Sequence, residues 1–236
     1  MSLGSAIAAD LPVKARPMMM EAAYDWSGFY VGGELGGIWD RASGSFVAPP
    51  PASYTNRAST GIGGGFVGYQ YQWNQVVLGV EADVIGLFNQ DLGRSACTPV
   101  AGCIAGLTIG NRMGGALWSV GPRLGWAAGQ WMPYVTGGYA GTRVSNTAFA
   151  ASGAVTEQFS QDRSGYYVGA GVDWAFNPNW IVGVEYRHDD FGTTRSVPLG
   201  VAGVPVTADT TDLSLRSDQV TARISYKFGG PIGARY

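Results

Sequence analysis

Residues 219–228 alternate strictly between apolar and polar side chains, and this pattern constrains the fold more than any other feature of the sequence. Successive side chains of a β-strand point to opposite faces, so every second residue shares a face. One face is apolar and ends in two aromatic residues: Val220, Ala222, Ile224, Tyr226 and Phe228. A soluble sandwich would bury that face in a core, whereas a transmembrane barrel would turn it toward lipid and point the polar face into the lumen.

The composition excludes several classes of protein. Charged residues make up only 14% of the chain, against roughly 25% in soluble domains. Glycine or a polar residue interrupts every apolar stretch, so none approaches the roughly 18 residues of a membrane helix. The net charge of −2 and the absence of a Lys/Arg cluster argue against a nucleic-acid partner. Membrane residence would therefore have to be achieved with strands.

The same alternation recurs in seven other stretches, at residues 29–39, 60–71, 76–87, 114–127, 133–144, 165–176 and 180–189. Strands of this length cross an outer membrane when they are tilted. Three short turns, at residues 72–75, 129–131 and 177–179, alternate with four long loops, at residues 40–59, 89–113, 145–163 and 190–217. The sequence therefore predicts an all-β fold, an eight-stranded antiparallel transmembrane β-barrel with short periplasmic turns and four long extracellular loops.

Charged residues within the strands occupy the faces opposite the apolar ones. They are Glu34, Glu81, Asp83, Asp173, Glu185, Arg123, Arg187, Arg223 and Lys227. Side chains fill the interior of an eight-stranded barrel, and an unpaired charge there is costly. We expect these groups to pair across the lumen, with Glu81 and Glu185 each within reach of at least one of the basic residues. The alternative is a narrow, porin-like channel for ions or small solutes.

Catalysis has little support in the sequence. The single histidine, His188, precedes Asp189 and Asp190 and could act as a base oriented by a carboxylate. The glycine-rich residues 61–68 lie within a strand pattern and no helix follows them, so a phosphate-binding loop is not expected. We predict no enzymatic activity, no catalytic residues, no cofactor and no metal site.

Cys97 and Cys103 lie in one predicted loop that contains glycine and proline. They are either two free thiols or a disulfide that closes a short ring. Two cysteines alone cannot fill a zinc site. Their close spacing in a loop of an exported chain favours the disulfide.

The first residues resemble a processing segment. Residues 1–8 end in Ala-Ile-Ala, a pattern that places signal cleavage before Ala9, although they are too few for a whole signal peptide. Residues 9–23 show no alternation, so we interpret them as an irregular periplasmic arm. The predicted organisation is a signal-peptide remnant at 1–8, this arm, the barrel at 24–228 and a C-terminal tail at 229–236.

Several motifs resemble those of one family. They are Trp26-Ser27-Gly28-Phe29-Tyr30-Val31-Gly32-Gly33, the aromatic and glycine-rich strand at 60–71, the two Gly-Val-Glu strands and the closing Arg-Ile-Ser-Tyr-Lys-Phe. Together they are similar to the small eight-stranded, OmpA-like outer-membrane barrels of alphaproteobacteria, the outer membrane immunogenic protein type. Such chains usually stop at the final aromatic residue, whereas this one continues to Tyr236.

The resemblance implies a structural role in the cell envelope and surface antigenicity. It implies contact with outer-membrane lipid and lipopolysaccharide, and with the barrel-assembly machinery, for which either Tyr226 and Phe228 or the later Tyr236 would present the assembly signal. Barrels of this type can also be linked to peptidoglycan through an Ala-Asp start, which Ala9 and Asp10 would supply here; the alternative is a loose leader with no partner.

Overall fold

The computed structural model describes residues 24–46, 53–96, 108–149, 152–196, 199–200 and 211–228. Its strands are β1 (Gly28–Phe46), β2 (Ser53–Trp73), β3 (Val76–Leu87), β4 (Asp91–Ala96), β5 (Thr108–Trp126), β6 (Trp131–Phe149), β7 (Val155–Ala175), β8 (Trp180–Ser196), β9 (Leu199–Gly200) and β10 (Thr211–Phe228). The predictions for residues 1–8, the arm at 9–23 with Ala9, Cys97, Cys103 and residues 229–236 lie outside the described residues.

Eight of these strands form a closed antiparallel ring. Each pairs with its neighbours in the order β1, β2, β3, β5, β6, β7, β8, β10, and β10 pairs with β1. The short strands β4 and β9 pair with β5 and β7 outside this ring. The predicted eight-stranded barrel is therefore confirmed. No helix in the described part of the chain is long and apolar enough to span a membrane.

The outer surface of the ring is apolar and bordered by aromatic residues. Leu35 on β1 and Val184 on β8 are 64% and 58% exposed on this surface. One aromatic group lies near the end where the chain enters β1, which we call the turn end: Phe29, Trp73, Trp126, Trp131, Trp180 and Phe228. A second group lies toward the opposite, loop end: Trp39, Trp118, Tyr139, Tyr166 and Tyr186. Two aromatic girdles around an apolar band are typical of a barrel that spans a lipid bilayer.

The predicted short turns lie together at the turn end. Asn74 takes a positive φ of 55° in the turn between β2 and β3, a conformation that asparagine tolerates better than most residues. Asn177 accepts hydrogen bonds of 2.9 and 2.8 Å from the backbone amides of Asn179 and Trp180, which tightens the turn before β8. Polar side chains thus supply the geometry of these short connections.

The four predicted long loops were too long. Most of residues 40–59, for example, belongs to paired strands, because β1 continues to Phe46 and β2 begins at Ser53. Beyond the second girdle the polarity of the two strand faces reverses. Leu213 and Leu215 point inward and are 2% and 1% exposed, while Arg216 lies on the outer face. The outer face there is polar, so the apolar-outward pattern used to predict the strands ends at the girdle.

Candidate functional site

The interior of the barrel is divided into three layers of side chains. At the turn end lies an apolar group formed by Trp26, Val77, Met132, Tyr134, Ala175 and Ile181. Toward the loop end lies a larger one, formed by Ile38, Ala42, Ile62, Ile85, Leu87, Met113, Leu117, Ala140, Val144, Tyr167, Phe191, Leu213 and Leu215. Between them lies a charged layer. The members of both apolar groups are at most 8% exposed, so packed side chains cover the charged layer from both ends. Buried polar side chains also lie among the loop-end group: Asn56 is the cross-strand partner of Ala42, and Arg163 donates to the backbone carbonyl of Leu213.

Arg223 is the centre of the charged layer. Its guanidinium donates to Glu81 at 2.6 Å and also to Glu185, and its Nε lies 3.8 Å from Glu34. It also stacks on Phe66, with its Cζ 3.9 Å from the ring centroid. A guanidinium suits this position because its five N–H groups and planar face can serve several partners at once.

Two more interior arginines, Arg123 and Arg187, extend this network. Arg123 bonds to Asp173 at 2.5 Å and to Glu81 at 3.4 Å, and its Cζ lies 3.5 Å from the ring centroid of Tyr134. Arg187 bonds to Asp83 at 3.0 Å and to Glu185 at 2.8 Å. Glu81 and Glu185 therefore each contact two arginines.

Among the described residues, carboxylates outnumber guanidiniums in this layer. Five acidic side chains surround three arginines, and Glu34 Oε1 and Asp83 Oδ1 accept no hydrogen bond. Loss of one guanidinium would leave one buried carboxylate without an arginine and would weaken the pairing of Glu81 or Glu185, which is strongly destabilising.

Lys227, predicted as part of the network, lies apart from it at the turn end. Its ammonium donates to the backbone carbonyl of Asp25 and lies 4.3 Å from the ring centroid of Tyr24. Within the described residues no salt bridge reaches it. Lys227 therefore binds Tyr24 and Asp25, which precede β1, whereas the other eight predicted residues form one connected group of ion pairs.

Sequence reasoning missed the cap that Trp26 forms at the turn end. This side chain is fully buried, and its Nε1 donates to the backbone carbonyl of Gly129 at 3.2 Å. Its backbone amide donates to Gln72 at 2.8 Å, and its carbonyl accepts from Gln70 at 2.8 Å. Trp26 precedes the first alternating residue, so a periodicity search passes over it.

Two further buried carboxylates, Asp40 and Asp189, were also missed as interior residues. Asp40 accepts a 2.5 Å hydrogen bond from Ser217, and Asp189 accepts one of 2.9 Å from Gln219. Both lie on the loop-end side of the charged layer, in residues that the sequence analysis assigned to a loop or to a strand end. The alternation does continue through them, and extending it would have placed them inside.

His188 lies on the outer face and its carboxylate partner is not one of its sequence neighbours. Its Nδ1 is 2.8 Å from Asp218, whereas Asp189 points inward and Asp190 pairs with Arg216 at 3.0 Å. Tyr186 donates to the same Asp218 oxygen at 2.7 Å. Among the described residues, no group of three or more His, Cys, Asp or Glu side chains is placed to hold a metal ion.

Comparison with known proteins agrees with this architecture. The family profile described as the outer membrane protein beta-barrel domain matches residues 4–228. The chain is 28% identical over 217 residues to the 25 kDa outer-membrane immunogenic protein of Brucella abortus, covering 92% of this chain and 85% of that protein. It is 31% identical over 212 residues to the 31 kDa outer-membrane immunogenic protein of Brucella melitensis, covering 83% and 85%.

Solved structures show the same fold at low sequence identity. The outer membrane protein OprG from Pseudomonas aeruginosa gives a TM-score of 0.56 at 13% identity, with 88% of this chain and 99% of that chain covered. The outer membrane protease OmpT from Escherichia coli gives 0.52 at 10% identity, with 85% and 97% covered. At these identities the likeness concerns the barrel architecture alone.

Proposed function

The chain belongs to the outer membrane protein beta-barrel domain family, and from this premise we propose that it is a closed structural barrel that contributes to envelope integrity and presents its loop end at the cell surface. In barrels of this class the short turns face the periplasm and the longer loops face the exterior. The turn end described above is then periplasmic and the loop end extracellular.

The layered interior is the observation that carries this proposal. A conducting lumen needs a continuous water path, but here two apolar layers enclose the charged one. The interior charges are also engaged with one another, since Arg123, Arg187 and Arg223 each bond to two or more carboxylates. A fixed set of mutual ion pairs favours rigidity over transport, which supports the structural role rather than the porin-like alternative.

The surface role is supported by the strands that continue past the second girdle. Strand β1 extends seven residues beyond Trp39, and β2 extends six beyond the partner of Trp39. Strand β6 extends ten residues beyond Tyr139, and β7 extends eleven beyond its partner Tyr166. These extensions raise the connecting segments above the membrane. The relatives are named immunogenic proteins, and we propose that this chain is likewise a surface antigen.

Planar-bilayer recording on the purified full-length protein tests the closed lumen. We expect no stepwise conductance when a large porin, reconstituted in parallel, conducts under the same conditions. Insertion is verified by heat-modifiable migration in gels, which reports a folded barrel. Reproducible single-channel steps from the folded protein would overturn the structural role and favour the channel.

Protease treatment of intact cells tests the surface role separately. Cleavage is expected only in the segments that connect strands at the loop end, and the turns after Trp73, Trp126 and Ala175 should be cut only after the outer membrane is opened. Cleavage of those turns in intact cells would reverse the proposed orientation.

A further inference from the structure

Three arginines form a lateral row on the outer face of the barrel. Arg41 on β1 is the direct cross-strand partner of Arg216 on β10 and of Arg57 on β2. All three side chains are exposed. Neighbouring strands lie about 4.8 Å apart, so three positive charges occupy roughly 10 Å of the barrel surface.

Such a row is unfavourable without an anion, because like charges directly opposite each other destabilise a strand pair. Arg216 is partly compensated by Asp190, whose carboxylate lies 3.0 Å from its Nε. Within the described part of the chain, neither Arg41 nor Arg57 makes a salt bridge. The positive charge of the row is therefore only partly offset, by Asp190 beside Arg216 and by Asp218, whose carboxyl interacts with the charge of Arg41.

Other exposed arginines at the loop end are arranged differently. Arg143 donates to both oxygens of Asp162, at 2.7 and 3.2 Å, and Arg195 donates to both oxygens of Asp212, at 2.9 and 3.1 Å. These hydrogen bonds hold the pKa values of Asp162 and Asp212 below their ordinary range. Among the described residues, Arg143 and Arg195 thus each form a salt bridge with a carboxylate, whereas Arg41 and Arg57 form none.

The position of the arginine row along the barrel axis indicates which part of the membrane it contacts. Arg41 follows Trp39 by two residues on the same outer face, and Trp39, 53% exposed, belongs to the loop-end girdle. Girdle aromatics lie at the membrane interface, so the row lies at the level of the headgroups of the outer leaflet. On the membrane side the surface is apolar and includes Leu35 and Val220, which are 64% and 45% exposed.

The surroundings of the row suit a phosphorylated saccharide. A groove of about 490 Å³ is lined by Trp39, Arg41 and Arg57 on one side and by His188, Arg216 and Asp218 on the other. Asp218 already accepts hydrogen bonds from Tyr186 and His188. Two residues beyond the arginines, on the same outer face, the hydroxyls of Ser43 and Thr55 lie 3.3 Å apart.

We propose that this arginine row is a binding site for lipopolysaccharide, in which Arg41 and Arg57 hold a phosphate group of the lipid headgroup and Arg216 adds a third positive charge. Arginine matches this role because its planar fork recognises phosphate through two parallel hydrogen bonds. The acyl chains then lie along the apolar band below Trp39, and sugar hydroxyls reach Ser43 and Thr55. The inference rests on the proposed orientation, with the loop end outside the cell, but does not depend on whether the lumen conducts.

Native mass spectrometry of the full chain in detergent tests the site. The probes are bisphosphorylated lipid A, the same lipid with both phosphates removed, phosphatidylglycerol and inorganic phosphate. The test variant is Arg41→Gln/Arg57→Gln. The matched control is Arg143→Gln/Arg195→Gln, which removes two exposed loop-end arginines that already have carboxylate partners.

We expect bisphosphorylated lipid A to bind at least ten-fold more tightly than the dephosphorylated lipid. The test variant should lose about 30-fold in affinity, since each basic residue at a membrane surface contributes about five-fold. The control should change the affinity by less than about two-fold. Should the test variant fail to fold, Arg41→Lys/Arg57→Lys keeps the charge and removes the bidentate geometry, and it should give an intermediate loss.

Four results would each overturn the proposal. Equal losses in the test and control variants would indicate general electrostatic attraction, and no loss in the test variant would leave the row without a role. Phosphatidylglycerol that binds as tightly as lipid A would show that any anionic lipid suffices. Competition by inorganic phosphate at concentrations similar to those of lipid A would identify the free ion as the ligand.

Discussion

Tyr30 donates a hydrogen bond of 2.9 Å to Glu81 from two strands away, across the backbone of the strand between them. The intervening cross-strand partner of both residues is Gly68. A second row repeats this arrangement, in which Tyr134 donates to Glu185 at 2.8 Å across Gly171. In each row tyrosine and glutamate are separated by 51 residues. The first row lies in the first four wall strands and the second in the last four, so the interior carries an internal repeat.

The glycines of these rows provide space for the tyrosine rings. A Cβ on Gly68 would lie 2.3 Å from the Tyr30 hydroxyl oxygen, and the ring, only 2% exposed, has little room to move. We expect Gly68→Ala to displace Tyr30, break its hydrogen bond to Glu81 and destabilise the barrel by about 1–3 kcal/mol, as overpacking does. Urea unfolding of the protein in lipid vesicles measures this change.

Gly33→Ala is the matched control, because its Cβ would meet nothing closer than the Gly64 carbonyl at 3.6 Å. It should change the free energy of unfolding by less than about 0.5 kcal/mol. Equal effects of the two substitutions would mean that backbone entropy, and not the tyrosine contact, explains the glycine.

The second prediction concerns the charged layer. Glu81→Leu removes the carboxylate that lies 2.6 Å from Arg223 and 3.4 Å from Arg123, and so leaves two buried guanidiniums with fewer partners. We expect a loss of about 3–5 kcal/mol, typical of breaking a buried ion pair. The thermal transition of the folded barrel, followed by heat-modifiable migration, should move to lower temperature.

An exposed ion pair provides the comparison. Asp162→Leu removes the partner of Arg143, in a pair whose side chains are 76% and 63% exposed. Exposed pairs contribute at most about 1 kcal/mol. A Glu81→Leu transition as close to wild type as that of Asp162→Leu would show that the interior network contributes little to stability.

The third prediction addresses the cap at the turn end. Trp26→Ala removes a fully buried ring and should cost about 3–5 kcal/mol. Trp26→Phe keeps most of the packing but loses the 3.2 Å hydrogen bond to the Gly129 carbonyl, so its cost should be smaller. The rate of proteolysis before Trp26 in the refolded protein should follow the same order. Wild-type resistance in Trp26→Ala would mean that the cap does not hold the entering chain.

How far the sequence predicts this molecule depends on which solvent each strand face meets. Between the girdles the outer face meets lipid, so the pattern from Val220 to Phe228 and its counterparts predicts the number of strands and the inward direction of Arg223 and Glu81. Past Trp39 the outer face meets water, and large apolar side chains such as Leu215 turn inward beside buried polar ones such as Asp40. The strand pairing continues there although the polarity of the two faces has reversed. Strands predicted from their lipid-facing residues are therefore too short at the loop end.

The contacts inside the barrel could be predicted only in part. Alternation assigns Arg123 and Arg187 to the interior, but which carboxylate each meets depends on strand register and barrel closure. Lys227 shows this limit, since it has the same alternation as Arg223 and yet lies at the turn end beside Tyr24. Trp26 carries no periodic signal at all, because it crosses the mouth of the barrel and is not part of a strand.

The fourth prediction, the disulfide between Cys97 and Cys103, is tested by alkylation without reductant followed by mass spectrometry. A disulfide leaves both residues unmodified until reductant is added. The small ring it would close limits the expected gain in stability, because loop-closure entropy grows with the length of the closed loop. Alkylation of both residues in the native exported protein would show that they are free thiols.

The fifth prediction is that residues 9–23 tether the barrel to peptidoglycan. Trp26 lies at the turn end, which is the periplasmic end in the proposed orientation. Extended residues span at most about 3.5 Å each, so these residues could reach about 50 Å. Signal cleavage before Ala9 would expose the amino group of an Ala-Asp start, which a transpeptidase could join to a peptidoglycan stem.

Lysozyme digestion of native cell walls followed by peptide mass mapping tests the tether. The expected product is an Ala9 peptide that carries a muropeptide. A variant that lacks residues 10–20 but keeps Tyr24 and Trp26 is the control, since it retains the cap and the barrel and loses the Ala-Asp start and most of the arm. It should fold, reach the outer membrane and yield no adduct. Recovery of only the unmodified Ala9 peptide from the wild type would leave a barrel held in the envelope by its membrane-spanning strands alone, since terminal segments are commonly loose.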